Sequence, residues 1–484
     1  CDAHAARDAV KEAFALELHN HQISRVQIIK NLSALAVVGE GMAYTIGVPA
    51  KMFSALASAG IPVRAIAQGS SKRNITAVVD RQSLSKAMQA IHSAFTLSAV
   101  PISVGLIGMG RVGEQLIDQL RAEHPRVLKD LNLDLRLRLV VDVGRTLIKQ
   151  ERIDMGNFEA EWEAAAKEPD VPLEGLADKF LTTHYPHSVI VDCTASERVA
   201  AFHKHWLRRG IHVISANRKA GATSIKDFLE TEEEASAKNV HWSYAVTAGG
   251  ALPSMVCIQD LLNTGDHVMR VEGMLSSTMD HILSVVSPFS DATPPKKFSE
   301  AVVEAVHSGC TEAIALDDIL GLDMARKLTI LARSVGSPQI AEDIKVSNLL
   351  PSAAKAVVAK LNEDFTCGNH CGKDCAKCEA VAAALAPFDA DIAARAAKAR
   401  DKGKCLRCVG VVNVPENTVK IEIKEVSIKD NPMACLCNGN TVVINIHSDR
   451  YQDKPLVISG PGTGAKLIAG AVFADLLRIG QSFH

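Results

Sequence analysis

No apolar run in the 484-residue chain reaches the ~18 residues that a membrane-crossing helix needs, so no such helix is expected here. An excess of charge of one sign is also lacking. The 53 Lys and Arg stand against 55 Asp and Glu, a formal net charge of −2. That removes the electrostatic basis for binding nucleic acid or an anionic membrane. An initiating Met is lacking too. The chain opens at Cys1, so we expect a piece of a longer protein with any targeting segment upstream. Hydrophobic residues at 47% and charged residues at 22% are ordinary for a soluble globular protein. The length exceeds what one core serves and implies two or three domains. Cysteine is plentiful, with 12 residues that gather late in the chain.

Residues 28–95 read as one small α+β unit within an expected first domain of 1–98. "LSALAVVGEGM" is an apolar strand and a glycine turn, and "PAKMFSALASAGI" has helical spacing ending at Gly60. "VRAIAQGSS" and "NITAVVD" read as strands, and "SLSKAMQAIHSAF" as a helix. The order is strand–helix–strand–strand–helix.

A second unit, 99–245, opens with "ISVGLIGMGRVGEQLIDQL". An apolar strand runs straight into Gly108, Gly110 and Gly113 and then into a helix. A bare GxGxxG is common, but this context is the one a dinucleotide site requires. The glycines admit a pyrophosphate, and the helix start, with Arg111 and Val112, meets it with positive potential. "LRLRLVVDV", "SVIVDCT" and "HVISAN" continue a β/α alternation, which predicts a parallel doubly wound sheet. Asp142 stands where an acid would read a ribose, but Arg145 follows and would hold a 2′-phosphate, which favours NADP over NAD. "VDCTASE" and "ISANRKA" end successive strands at the ligand-binding edge, placing Thr194, Ser196 and Asn217 toward the nicotinamide ribose, with Arg218 and Lys219 beside them. Helix caps and loop charges are the plainer reading of each.

From residue 246 the pattern changes, and 246–440 is expected to form a substrate and dimerisation domain. Residues 441–484, with the glycine loop around Gly464, are expected to return to the dinucleotide domain. In "VTAGGALPS" the carbonyls of Ala248, Gly250 and Leu252 would suit a monovalent cation, or the segment is only a tight turn. In "ILGLDMARKLTIL" Asp323 and Lys327 lie four apart on a helix. Such pairs are usually wet surface pairs. Here Leu322, Met324, Ala325, Leu328, Ile330 and Leu331 crowd round them, and a pair held from water needs a reason.

With these pieces in place, nearly the whole chain resembles the bifunctional aspartokinase–homoserine dehydrogenases, without their kinase catalytic domain. "VVGEGM" and "KMFSALASAGIPVRAIAQGSSKRNI" resemble an ACT regulatory unit. "VGLIGMGRVGEQL", "VDCTAS", "GIHVISANRKA", "GLDMARKLTILAR", "GKCLRCVG" and "GPGTGAKLIAGAVFADLLR" resemble the dehydrogenase. The resemblance implies NAD(P)-dependent interconversion of L-aspartate 4-semialdehyde and L-homoserine. It implies that Lys327 is the general acid–base and that Asp323 and Glu312, with Asp318, hold the substrate's ammonium group. It also implies an amino-acid effector, threonine in the common case, at Gln68, and a homo-oligomer, in the cytoplasm or the plastid stroma.

Three positions depart from the family pattern. Arg218 stands where a lysine is usual, and an arginine polarises an oxygen but does not serve as a base. Lys219 beside it points elsewhere on an extended backbone. Ala245 replaces an acidic cation ligand. "TEAIALDD" keeps Glu312, Asp317 and Asp318 but loses the usual prolines. A weakened dehydrogenase acting as a regulatory module, or an oxidoreductase for a related amino or hydroxy acid, are the alternatives. Finally, "CGNHCGKDCAKC" puts Cys367, Cys371, Cys375 and Cys378 in an insertion expected at about 362–388. The spacing permits a zinc or iron–sulfur site, redox-responsive disulfides or an inert loop.

Overall fold

The computed structural model describes residues 3–95, 99–165, 173–181, 185–289, 293–307, 315–336, 344–347, 352–364, 375–427, 429, 441–462 and 464–483. The chain divides into two compact units, one mainly residues 1–101 and the other nearly all the rest.

In the N-terminal unit two helices, Ala3–Ala13 and Ala15–His19, bury no side chain. Then come β1 (Leu32–Val38), α1 (Val48–Ser58), β2 (Ala65–Gln68), β3 (Asn74–Asp80) and α2 (Leu84–Phe95), in the expected order. The sheet runs β1-β3-β2, antiparallel throughout. Alternation in "NITAVVD" turns Ile75, Ala77 and Val79 inward. Val48, Met52 and Leu56, spaced by four along α1, cover them.

Among the described residues the larger unit holds two six-stranded sheets. The first contains β4 (Val100–Ile107), β5 (Leu133–Asp142), β6 (Arg145–Ile148), β7 (His187–Asp192), β8 (His212–Ser215) and β9 (Trp242–Ser243), in the order β6-β5-β4-β7-β8-β9. The chain starts at β4 and winds outward both ways, so the switch point lies between β4 and β7. β7 and β8 are buried end to end, as central strands covered on both faces must be. Three helices matter for the site: α3 (Arg111–Asp130) after β4, α4 (Glu197–Arg208) after β7 and α5 (Arg218–Gly221) after β8. The sheet is not wholly parallel. β6 folds back on β5 as a hairpin with Asp142 opposite Arg145, because Gly144 takes φ 72° in the two-residue turn.

The second sheet is mainly antiparallel: β11 (Ile344–Ser347), β13 (Thr418–Val426), β12 (Cys405–Asn413), β10 (Val268–Met274), β14 (Thr441–Ser448) and β15 (Leu456–Pro461), in that order. Helices pack over it, among them α6 (Leu322–Ser334), and the largest core of the molecule lies between. Residues 441–461, expected to return to the dinucleotide domain, instead supply β14 and β15. The reason is β14's apolar Val443 and Ile444, which pair in register with β10 and add a central strand. The following helix, α7 (Ala465–Gln481), does pack against α3. Part of the expected cysteine insertion is not a loose loop either. Ala376–Leu385 is a helix that buries Cys378, Val381 and Leu385 in the main core.

One glycine lets α6 seat on this sheet. Gly410 on β12 faces α6, and a Cβ there would lie 2.6 Å from one Leu328 methyl and 2.9 Å from Met324 Cε. Gly410→Ala is therefore expected to cost about 1–3 kcal/mol through overpacking. A thermal melt reads this as a lowered Tm, and an unchanged Tm would mean that the helix does not sit this tightly.

Candidate active site

The edge of the first sheet is built around the Gly108 turn. Gly108 takes φ 98°, its N–H bonds to the Val141 carbonyl at 2.7 Å, and a Cβ on it would lie 2.9 Å from Thr194 Cγ2. A Cβ on Gly113 would lie 2.1 Å from the Gly108 carbonyl oxygen, so α3 comes up against the turn as only glycine permits. Gly110 precedes α3, and a Cβ added there meets nothing within 4 Å. A 20-residue helix thus starts at a switch point, with Arg111 exposed and Val112 half-buried in its first turn. These residues fit a dinucleotide's pyrophosphate.

Across the switch point, the ends of β7 and β8 are tied together. Ser196 caps α4, accepting from the Val199 N–H at 3.3 Å, and Asn217 caps α5, accepting from the Lys219 N–H at 3.2 Å. The Asn217 amide also donates to the Ser196 carbonyl at 2.8 Å. Thr194, Ser196 and Asn217 therefore come together, Ser196 and Asn217 as helix caps and Thr194 accepting from the Ser196 N–H at 3.2 Å. Gly464, which opens α7 at φ 137°, belongs to the C-terminal glycine loop. That loop meets the 246–254 turn, where a Cβ on Gly250 would lie 2.2 Å from the Gly462 carbonyl oxygen. In that turn the Ala248 carbonyl accepts from Ser254 Oγ at 2.9 Å, and Leu252 N–H donates to the Gly249 carbonyl at 3.3 Å.

The charged pair on α6 is not a surface pair. Asp323 is 3% exposed and Lys327 is 5% exposed, and the Lys327 ammonium stands 2.7 Å from Asp323 Oδ2. It also donates to the Leu275 carbonyl at 2.7 Å. Arg218, from α5, reaches Asp323 Oδ1 at 3.0 Å. Burial alone would push the Asp323 carboxyl up. The Lys327 ammonium and the Arg218 guanidinium outweigh it and hold the carboxyl below the usual carboxylate range. A second tether sets the helix. Arg333, near the end of α6, donates to the carbonyls of Gly221 at 2.5 Å and Thr223 at 2.7 Å, and lies 4.6 Å from the Phe228 ring centroid.

Not every expected residue joins this group. Lys219 pairs with Glu197 at 3.0 Å instead. The segment is helical rather than extended, but adjacent side chains still diverge, by about 100° around a helix. Arg145 lies on β6, donating to the Trp162 carbonyl at 3.1 Å with its guanidinium 5.4 Å from the Trp162 ring centroid. Asp318 is buried and accepts from Thr278 Oγ1 at 2.7 Å, while Asp317 pairs with Arg326 at 3.0 Å. Glu312, Cys367 and Cys371 lie outside the described residues. Cys375 is half-buried and Cys378 buried, and among the described residues no group of three or more His, Cys, Asp or Glu could hold a metal. Gln68, in the other unit, is exposed at the end of β2.

Three contributors escaped the sequence reading: Asp192, Arg333 and the Leu275 carbonyl. An acid closing the apolar strand "SVIVD" was a signal for the first. Nothing in the sequence marks one backbone carbonyl or one more arginine.

Family comparisons fit this arrangement. The homoserine dehydrogenase family model matches residues 253–477, that family's NAD-binding domain 108–245 and an ACT domain 35–95. The Arabidopsis thaliana bifunctional aspartokinase/homoserine dehydrogenase 1, chloroplastic, is 35% identical over 476 residues, 98% of this chain and 49% of that protein. The chain thus spans about half the length of such relatives. A crystal structure of a Candida auris protein of unknown function is similar over 78% of this chain and 98% of that one, at 26% identity and TM-score 0.66. A homoserine dehydrogenase of Emericella nidulans is 30% identical over 393 residues, 79% of this chain and 99% of that protein. The chain belongs to the homoserine dehydrogenase family, in the ACT-bearing arrangement of its bifunctional aspartokinase/homoserine dehydrogenase members.

Proposed function

We propose that this chain interconverts L-homoserine and L-aspartate 4-semialdehyde with a nicotinamide dinucleotide. The observation that carries the reading is the buried Lys327 ammonium, aimed by Asp323 and the Leu275 carbonyl on a helix tied to α5. The nicotinamide, when bound, supplies or accepts the hydride. Gly108, Gly110, Gly113 and the start of α3 would hold its pyrophosphate, with Thr194, Ser196, Asn217 and Gly464 along the same edge.

Lys327 then manages the proton. In reduction the substrate oxygen gains negative charge, and the ammonium both stabilises and neutralises it. In oxidation the amine form takes the hydroxyl proton. Arg218 keeps its proton, so it holds Asp323 ionised and adds a fixed positive charge near the reacting oxygen. Both Asp323 oxygens face cations of the chain itself, which supports an orienting role for it and leaves the substrate ammonium to Asp318 and Glu312. Lys219, paired with Glu197, has a supporting electrostatic role.

NADP is the favoured cofactor because Arg145 stands where the second strand ends. A monovalent cation at the Ala248, Gly250 and Leu252 carbonyls would lack the acid that Ala245 replaces, and the cysteine segment is not needed for this chemistry. Gln68 on the exposed β2 edge is our effector contact, with threonine the effector. The open edge, where Ile66 is 60% exposed, supports a homo-oligomer that covers it. The chloroplastic designation of the Arabidopsis relative supports the plastid stroma as the compartment.

Lys327→Ala is expected to lower kcat for homoserine oxidation by at least ~10³-fold, the upper part of what a general acid–base contributes. Cofactor affinity should stay within about twofold, and near-normal turnover would refute the assignment. Arg145→Ala should raise KM for NADPH about tenfold, the equivalent of ~1.4 kcal/mol, and leave KM for NADH unchanged. Equal effects on the two cofactors would remove Arg145 from 2′-phosphate recognition. Gln68→Ala should abolish any threonine-dependent change in rate without altering the rate in its absence, and a retained threonine response would place the effector elsewhere.

A further inference from the structure

Beneath the cofactor edge lies a second buried carboxylate that the reaction itself does not use. Asp192 ends β7 and is 0% exposed. Its Oδ1 accepts from the Thr194 N–H at 2.8 Å and from Thr194 Oγ at 2.7 Å. Its Oδ2 accepts from Asn217 Nδ2 at 3.0 Å and lies 2.9 Å from His203 Nε2. His203, on α4, is 1% exposed and receives a hydrogen bond on Nδ1 from Trp242 Nε1 at 3.3 Å. An indole N–H only donates, so Nδ1 is an acceptor and the ring hydrogen sits on Nε2, pointing at Asp192. Every donor in this chain is thereby assigned.

Four donors surround one carboxylate, enough to fill its acceptor positions in place of water. Two of them belong to Thr194 and one to Asn217. Thr194 also abuts the Gly108 turn, and Asn217 caps the helix that carries Arg218. The carboxylate thus sets the spacing between the two strand ends and the glycine turn.

We propose that Asp192 is the positioning residue for nicotinamide-cofactor affinity, held in place by His203 and Trp242. This rests on reading the edge as a dinucleotide site. Asp192→Asn would set an amide N–H against donors of Asn217 or His203. His203→Leu would remove one donor, and His203→Gln would restore an N–H of similar reach.

The test measures NADPH Kd from nicotinamide fluorescence, beside Tm and the homoserine kcat and KM. Asp192→Asn should raise Kd about tenfold or more, and homoserine KM by a smaller factor, since Asn217 also caps the helix that carries Arg218. His203→Leu should raise Kd by a comparable factor and His203→Gln should bring most of it back. Folded Asp192→Asn or His203→Leu protein with unchanged Kd overturns the proposal. So does a Tm loss in His203→Leu without a change in Kd. Should Asp192→Asn not fold, the His203 pair decides. A wild-type chain that binds NADPH but leaves homoserine untouched removes the proposed reaction only, and the variants' Kd values still judge Asp192. Wild-type protein that binds no nicotinamide dinucleotide ends both.

Discussion

Two charges held away from water, Asp323 and Lys327, and a third that reaches them from the half-buried Arg218 organise this molecule. Lys327 and Arg218 share the carboxylate of Asp323, and each comes from a different part of the larger unit. Withdrawing charges from water costs several kcal/mol per ion unless geometry and hydrogen bonds offset it. The offset here depends on α6 lying at one height over β12 and against one side of α5. Gly410 permits the first contact. Arg333 and the approach of Ile330 to Gly221 fix the second, since a Cβ on Gly221 would lie 3.0 Å from Ile330 Cγ1. If the helix shifts, the charges lose their partners before the core loses much contact.

Two buried carboxylates divide the work of the site. Asp323 is neutralised by two cations, Lys327 and Arg218. Asp192 is surrounded by N–H and O–H donors and faces the cofactor edge. The first arrangement gathers positive charge around one carboxylate. The second creates stiffness, because its four donors come from three separate residues, Thr194, Asn217 and His203, and none of these can move without leaving the carboxylate short. Both follow one rule: a buried anion must be fully met, and the kind of group that meets it decides what it can do.

Arg218 shows how a departure from a family pattern is absorbed. A lysine there would be free to exchange its proton, whereas the guanidinium is a permanent cation and settles on Asp323. The Lys327 ammonium, for its part, is aimed by a carboxylate and a carbonyl. The N-terminal unit has its own core and an exposed edge strand.

Much of this was legible in the sequence. Alternation and helical spacing determined the small sandwich, since side-chain periodicity is a local property. The run from apolar strand through Gly108, Gly110 and Gly113 into a helix determined the dinucleotide edge, because glycine there answers a local steric demand. The apolar surroundings of Asp323 and Lys327 raised the question of burial, and the structure answered it. What only the tertiary structure decided was partnership. Arg218 meeting Asp323 across 105 residues, Arg333 meeting Gly221, Lys219 turning to Glu197, and β14 and β15 joining the substrate sheet are matters of which surfaces meet. Ion pairs and hydrogen bonds between distant segments leave no periodic trace in a chain, because any residue of the right chemistry within reach would serve, and reach is set only once the helices and sheets have packed.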